Sequence, residues 1–190
     1  MNDSIDALLP VSMNRANTCC FTGHRNLHND GERLAQLTEL AVRTLLCAGY
    51  RYFLCGGALG FDMLAEETVL RAAETCPDAH LVLALPCRDQ TADWGENSLE
   101  EIRAYRRIVS LADAAVYTSD FRTQNCMAVR NQYMVDHASF CVAYYRGTIR
   151  SGTGQTVRMA QRAGLTLLNL YDALKPGGSL EFPADLPAVE

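Results

Sequence analysis

Residues 52–62 read Tyr52-Phe53-Leu54-Cys55-Gly56-Gly57-Ala58-Leu59-Gly60-Phe61-Asp62, four apolar residues, a glycine pair, and the start of a helical pattern continued by Ala65, Val69 and Ala72. A short apolar run stopped by glycine and followed by 3.6-residue periodicity predicts a strand, a tight turn and a helix packed back on the strand. The same unit precedes it: Thr18-Cys19-Cys20-Phe21 runs into Thr22-Gly23, and a helix from Gly31 places Leu34, Leu37, Ala41, Leu45 and Ala48 on one face before Gly49 closes it. Downstream lie a strand over 79–85 stopped by Pro86, a long polar loop over 87–97 carrying the sole tryptophan, Trp94, and a helix presenting Ile102, Tyr105, Val109 and Ala112. A strand over 114–118, a helix over 125–137, a strand over 140–144, a helix over 153–163 and a strand over 165–170 complete the alternation.

The strands are continuous apolar runs rather than in-out alternations, so both faces of the sheet must be covered. With strict strand-helix alternation this predicts an α/β fold, a doubly wound, mainly parallel sheet of about six strands with helices on both faces, Rossmann-like in type. A (β/α) barrel needs eight units and about 250 residues, which the chain lacks. At 190 residues, 48% hydrophobic and 21% charged, the composition suits one globular domain, expected over 17–174. The stretch 1–16 reads as a flexible tail. So does 175–190, with Pro176, Pro183, Pro187 and Gly177-Gly178.

No segment approaches the roughly 18 apolar residues of a membrane span, and the first fifteen residues lack the basic start and apolar middle of a signal peptide. The expected location is cytoplasmic, with no membrane partner. Eight cysteines without a C-x-x-C pair then read as reduced, mostly buried small hydrophobes. His28, His80 and His137 have no companions at metal-ligand spacing, so neither a metal nor a cofactor is expected. The net charge of -5 argues against a nucleic-acid partner. A homo-oligomer stays open.

In a sheet of this kind ligands bind beyond the carboxyl ends of the strands, which directs attention to the loops there. After the first strand comes Thr22-Gly23-His24-Arg25; Arg25 can grip a phosphate bidentately, and His24 can donate a hydrogen bond or serve the turn itself. After the second, Gly56-Gly57-x-x-Gly60 opening a helix is physically a phosphate cradle. It is neither the dinucleotide fingerprint, which follows the first strand, nor a P-loop, which needs Gly-Lys-Ser/Thr. After the fifth come Arg146-Gly147 and Ser151-Gly152-Thr153-Gly154. Asp62 and Glu66, four apart on one helix face, are the carboxylates nearest the glycine turn; either could be catalytic, or Asp62 could accept from a ribose hydroxyl, or both could merely complement a helix dipole. Arg130 and Asn131 lie inside the fourth helix, as an ion-pairing Arg and a polar helix position or as ligand groups. No G-x-S-x-G elbow is present for serine hydrolysis.

Thr22-Gly23-His24-Arg25, Gly56-Gly57-Ala58-Leu59-Gly60-Phe61-Asp62 with Ala65-Glu66, Arg130-Asn131 with Val135-Asp136, and the glycine-threonine loop Gly152-Thr153-Gly154 together resemble the YpsA-like proteins of the DprA/LOG (SLOG) superfamily, over roughly residues 18–171. The resemblance implies a Rossmann-like fold, a nucleotide or nucleotide-derived ligand of the nucleotide-sugar or ADP-ribose type, and a ligand role for Arg130 and Asn131. Within that superfamily the LOG enzymes cleave the N-glycosidic bond of nucleoside monophosphates, with a catalytic Glu following a Pro-Gly-Gly-x-Gly-Thr loop. Here the later loop is followed by Gln155, so the acid is absent there. The leading expectation is a binding module, with phosphate on the Gly56 to Gly60 turn, charge from Arg25, ribose on Asp62, and further phosphate or sugar contacts from Gly152, Thr153 and Gly154. The alternatives are an N-glycosidase acting through Asp62 or Glu66 and a DprA-like DNA-binding protein.

Overall fold

The computed structural model describes residues 9–95, 98–183 and 186; the first eight residues, the loop end at Asn97 and the terminal stretch with Pro187 lie outside the described residues. Six strands form one sheet: β1 (Thr18–Gly23), β2 (Tyr52–Cys55), β3 (His80–Leu85), β4 (Ala114–Tyr117), β5 (Phe140–Tyr144) and β6 (Thr166–Asn169). Every pairing is parallel, in the spatial order β4-β3-β2-β1-β5-β6. The chain therefore winds outward from β1 to β4, crosses back, and continues from β5 to β6. That reversal puts the topological switch point at the carboxyl ends of β1 and β5, where doubly wound sheets bind ligands.

Burial follows position in the sheet. β2 and β5 are buried at every residue and β1 at all but Gly23, whereas the edge strands β4 and β6 each have one buried residue. Alternate side chains supply the two faces. Cys19, Phe21, Phe53, Leu83 and Val142 meet α1 (Gly31–Cys47) and α2 (Phe61–Ala73), while Cys20, Leu54, Val82 and Cys141 meet α4 (Cys126–Asp136) and α5 (Gly152–Arg162). α3 (Leu99–Leu111) joins the first face through Tyr105 and Ile108. α1 shows the energetics: Leu34, Leu37, Ala41, Val42 and Leu45 are buried from one helix, each Leu or Val contributing roughly 1.5–3 kcal/mol of transfer free energy.

Three local features refine the sequence reading, in which Trp94 is either a lid over a base or, preferably, an anchor of its loop. The last strand ends at Asn169 rather than at 170, because the Asn169 side chain accepts from the Tyr145 and Tyr171 N–H groups and caps a short helix, α6 (Leu170–Leu174). In the 87–97 loop a 3-10 turn, Gln90–Asp93, precedes Trp94, whose ring meets Tyr105 edge-on at 5.3 Å and anchors the loop to the core. In the stretch before β1, the Arg15 side chain donates to the Ala138 and Ala163 carbonyls at 2.9 and 2.8 Å, closing the amino ends of the sheet. All eight cysteines are free thiols; six are buried, Cys76 is partly exposed and Cys47 is exposed at the end of α1.

Candidate functional site

A cleft of about 280 Å³ opens at the switch point. β1 and the turn after it supply Thr22, Gly23, His24 and Arg25; α2 supplies Asp62; α4 supplies Arg130 and Asn131; the start of α5 supplies Gly152 and Thr153. Of the thirteen sequence candidates for ligand contact, nine thus converge from four elements.

The glycine turn meets the cleft only through Ala58. Gly56, Gly57 and Gly60 do not line it, and the Gly57 and Ala58 amides are turned to the protein's own carboxylates. Gly57 N–H donates to Glu66 Oε1 at 2.8 Å, and Ala58 N–H approaches Asp62 Oδ2 at 3.4 Å. The Gly57 carbonyl accepts from the Gln90 side chain, and the Gly56 carbonyl from Arg130 Nη1. Gly57 has φ of 65°, the left-handed region that glycine enters without cost. Gly60 lets the β1 turn close over α2: Phe61 N–H donates to the His24 carbonyl at 3.2 Å, and a Cβ at 60 would lie 2.1 Å from the Arg25 carbonyl oxygen.

Behind the cleft floor three ionisable groups share a nearly dry space. The Arg130 and Asp62 side chains are 7% and 8% exposed and 3.7 Å apart, and Glu66 is fully buried. Burial raises the Asp62 carboxyl above its ordinary range, while Arg130, the Ala58 amide and Arg25 pull it back. Glu66 is pushed up to about 8, first by burial and then by the neighbouring Asp62 charge. Among the described residues its Oε2 has no hydrogen-bond partner, nor does Oε1 of Gln90. Glu66 is out of reach of a ligand and holds the glycine turn; Asp62 is the acid that reaches the cleft.

The opposite wall has free polar groups. Ser151 caps α5, donating to the Thr148 carbonyl and accepting from Gly154 N–H at 3.0 Å, a hydroxyl that sequence reasoning passed over although Ser three residues before a helical amide signals a cap. Gly154 lies behind the cleft, one residue deeper in the helix. Gly152 and Thr153 are the first residues of α5, whose leading N–H groups have no intrahelical acceptor and carry the positive end of the helix dipole. Facing them, Asn131 is 9% exposed, and its side chain has no hydrogen-bond partner among the described residues. Thr22 and Thr153 are 8% and 7% exposed. Arg25 is exposed at the rim, without an ion-pair partner among the described residues.

His24 is held between two loops. Its N–H donates to the Tyr144 carbonyl at 3.3 Å, and its Nε2 accepts from Arg146 N–H at 3.1 Å. An accepting Nε2 leaves the proton on Nδ1, and burial, with Arg146 nearby, lowers the pKa and favours this neutral ring. Met127 and Met134 add an apolar wall that sequence reasoning also missed, since methionines on a helix carry no signal of which cavity they enter. Among the described residues no group of three or more His, Cys, Asp or Glu could hold a metal ion, and no helix is long and apolar enough to cross a membrane.

Known proteins share this architecture. The family model described as the YspA SLOG family matches residues 20–166. The uncharacterised SPbeta prophage-derived protein YoqJ of Bacillus subtilis is 28% identical over 125 residues, covering 60% of this chain and 71% of that protein. UPF0398 proteins of Halalkalibacterium halodurans and Leuconostoc citreum are 25% and 27% identical, and the matches span 56% and 54% of their lengths. The X-ray structure of TM1055, a structural genomics target, superposes with a TM-score of 0.54 at 17% identity, covering 90% of this chain and 88% of that one, and shares the fold.

Proposed function

The chain belongs to the YspA SLOG family, and from that premise we propose that it binds a nucleotide or nucleotide-derived ligand in the cleft between β1 and β5. The observation that carries this reading is the pairing of the α5 N-terminus with Asn131, whose side chain lines the opposite wall without a hydrogen-bond partner among the described residues. Its amide keeps access to the cleft, so a polar guest can meet it there in place of water. A phosphate sits on the leading amides of α5 at Gly152 and Thr153, with the Thr153 hydroxyl beside it. This assignment replaces the glycine turn, whose Gly57 and Ala58 amides already face Glu66 and Asp62. Arg25 adds charge at the rim, and Asp62 accepts from a ribose hydroxyl.

Binding is favoured over glycoside cleavage by the carboxylates. Glu66 has no access to the cleft, which leaves Asp62 alone, whereas glycoside hydrolysis commonly uses two carboxyl groups flanking the bond. Calorimetry of the parent against AMP, ADP, ADP-ribose and UDP-sugars should find a ligand, with Asn131→Ala lowering its affinity about tenfold at unchanged melting temperature. A chain that binds none of them would defeat the reading. Free base released by the parent and lost in Asp62→Asn would replace a binding module by a glycosidase.

A further inference from the structure

A second pocket, of about 480 Å³, opens beside the first and shares His24 and Arg25 with it. Asn26, His28, Arg146 and Tyr171 help to complete it, and among the described residues no carboxylate lines it. The acids on adjoining elements are engaged: Asp30 accepts from Tyr144 Oη at 2.7 Å, and Asp172 pairs with Lys175. In a chain of net charge -5, a hollow with two arginines and no acid among its described lining residues is a local reversal of sign, of the kind that concentrates anions.

Its cationic groups are individually placed. Arg146 Cζ lies 5.3 Å from the centre of the Tyr171 ring, a cation–π contact that steadies the guanidinium at the rim. Neither Arg25 nor Arg146 pairs with a carboxylate among the described residues. His28 is the one described non-glycine residue with positive φ, 51°, and Asn26 Oδ1 accepts its N–H at 2.8 Å. From this turn the His28 side chain lines the pocket. His24, common to both pockets, marks their junction.

We propose that this pocket is a second anion subsite, so that the ligand is a nucleotide carrying, beyond its diphosphate, a further anionic group, a phosphate or a carboxylate. The proposal rests on the nucleotide reading above. The first anion lies on the amides of α5, and the second is met by Arg25, His28 and Arg146.

Two ligand pairs differ only in that distal group: ADP-ribose against ADP-ribose 1″-phosphate, and UDP-glucose against UDP-glucuronate. Calorimetry of the full chain should find the charged member of at least one pair bound about tenfold tighter, and which pair responds tells phosphate from carboxylate. Arg146→Gln, which keeps the backbone N–H that bonds His24, should erase this preference and leave the member lacking the distal charge within about twofold. Equal binding within both pairs, or equal weakening of both members in the variant, overturns the subsite. Histidine-ring NMR with inorganic pyrophosphate tests it independently of any nucleotide: the His28 signals should shift in the parent and stay still in Arg146→Gln. That shift without nucleotide binding would sink the nucleotide reading and keep the subsite; an unmoved His28 overturns the subsite whatever nucleotides do.

Discussion

Arg130 occupies the space that a side chain on Gly56 would fill: its Nη1 donates to the Gly56 carbonyl, and a Cβ at position 56 would lie 1.5 Å from that nitrogen. The glycine is needed for an arginine 74 positions away, which ties α4 to the turn after β2 and sets Asp62 at the cleft.

Gly56→Ala should therefore be severe. Expelling Arg130 leaves the buried Asp62 without its cation, and breaking a buried pair typically costs about 3–5 kcal/mol. Urea denaturation at pH 7 measures the loss; a variant as stable as the parent would mean that Arg130 can leave without consequence.

Gly57→Val should act on stability before affinity. At φ of 65° a β-branched residue is strained, and a Cβ there would stand 2.6 Å from Leu85 Cδ2. The backbone penalty alone is about 1–2 kcal/mol, and for a chain of this size each kcal/mol moves the melting temperature by about 2–4 °C. Thermal unfolding is the check, and an unchanged midpoint with lost binding would return the turn to the ligand site.

Glu66 predicts a pH dependence. Its pKa is raised from 4.5 to about 8 in the folded chain, so between these values the native state holds a proton that the unfolded state has released. This group's contribution to stability must then fall as pH rises through that window, and level off above it. Glu66→Gln keeps an oxygen for the Gly57 N–H but cannot ionise. Denaturation at pH 5, 7 and 9 should show the variant gaining on the parent with each step, and parallel curves would contradict the assignment.

Arg25 and Arg43 separate designed contact from general charge. Arg25 lines the cleft, whereas Arg43 pairs with Glu39 on the exposed side of α1 at 2.7 Å. Arg25→Lys should weaken nucleotide affinity about tenfold, since an ammonium cannot reproduce a bidentate fork, and Arg43→Lys should leave it unchanged. Equal losses in calorimetry would mean that long-range charge alone governs binding.

The sequence by itself determined the sheet. Continuous apolar strands separated by amphipathic helices demand cover on both faces, and that requirement depends only on neighbours in the chain, so the winding and the edge that carries the loops could be read from local pattern. It also supplied Thr22, Arg25, Asp62, Asn131 and Thr153, because residues at the carboxyl ends of strands and the starts of helices face one edge. Tertiary structure alone decided what the glycines do. Gly56-Gly57-x-x-Gly60 suits an anion equally well whether that anion is a phosphate or the protein's own carboxylates, and only the approach of Arg130 and Gln90 from distant segments shows that Glu66 and Asp62 already hold those amides. The same holds for Asn131 and for the pocket of Arg25, His28 and Arg146: a side chain's chemistry is written in its residue type, but whether it is already satisfied depends on partners that only the folded chain brings near.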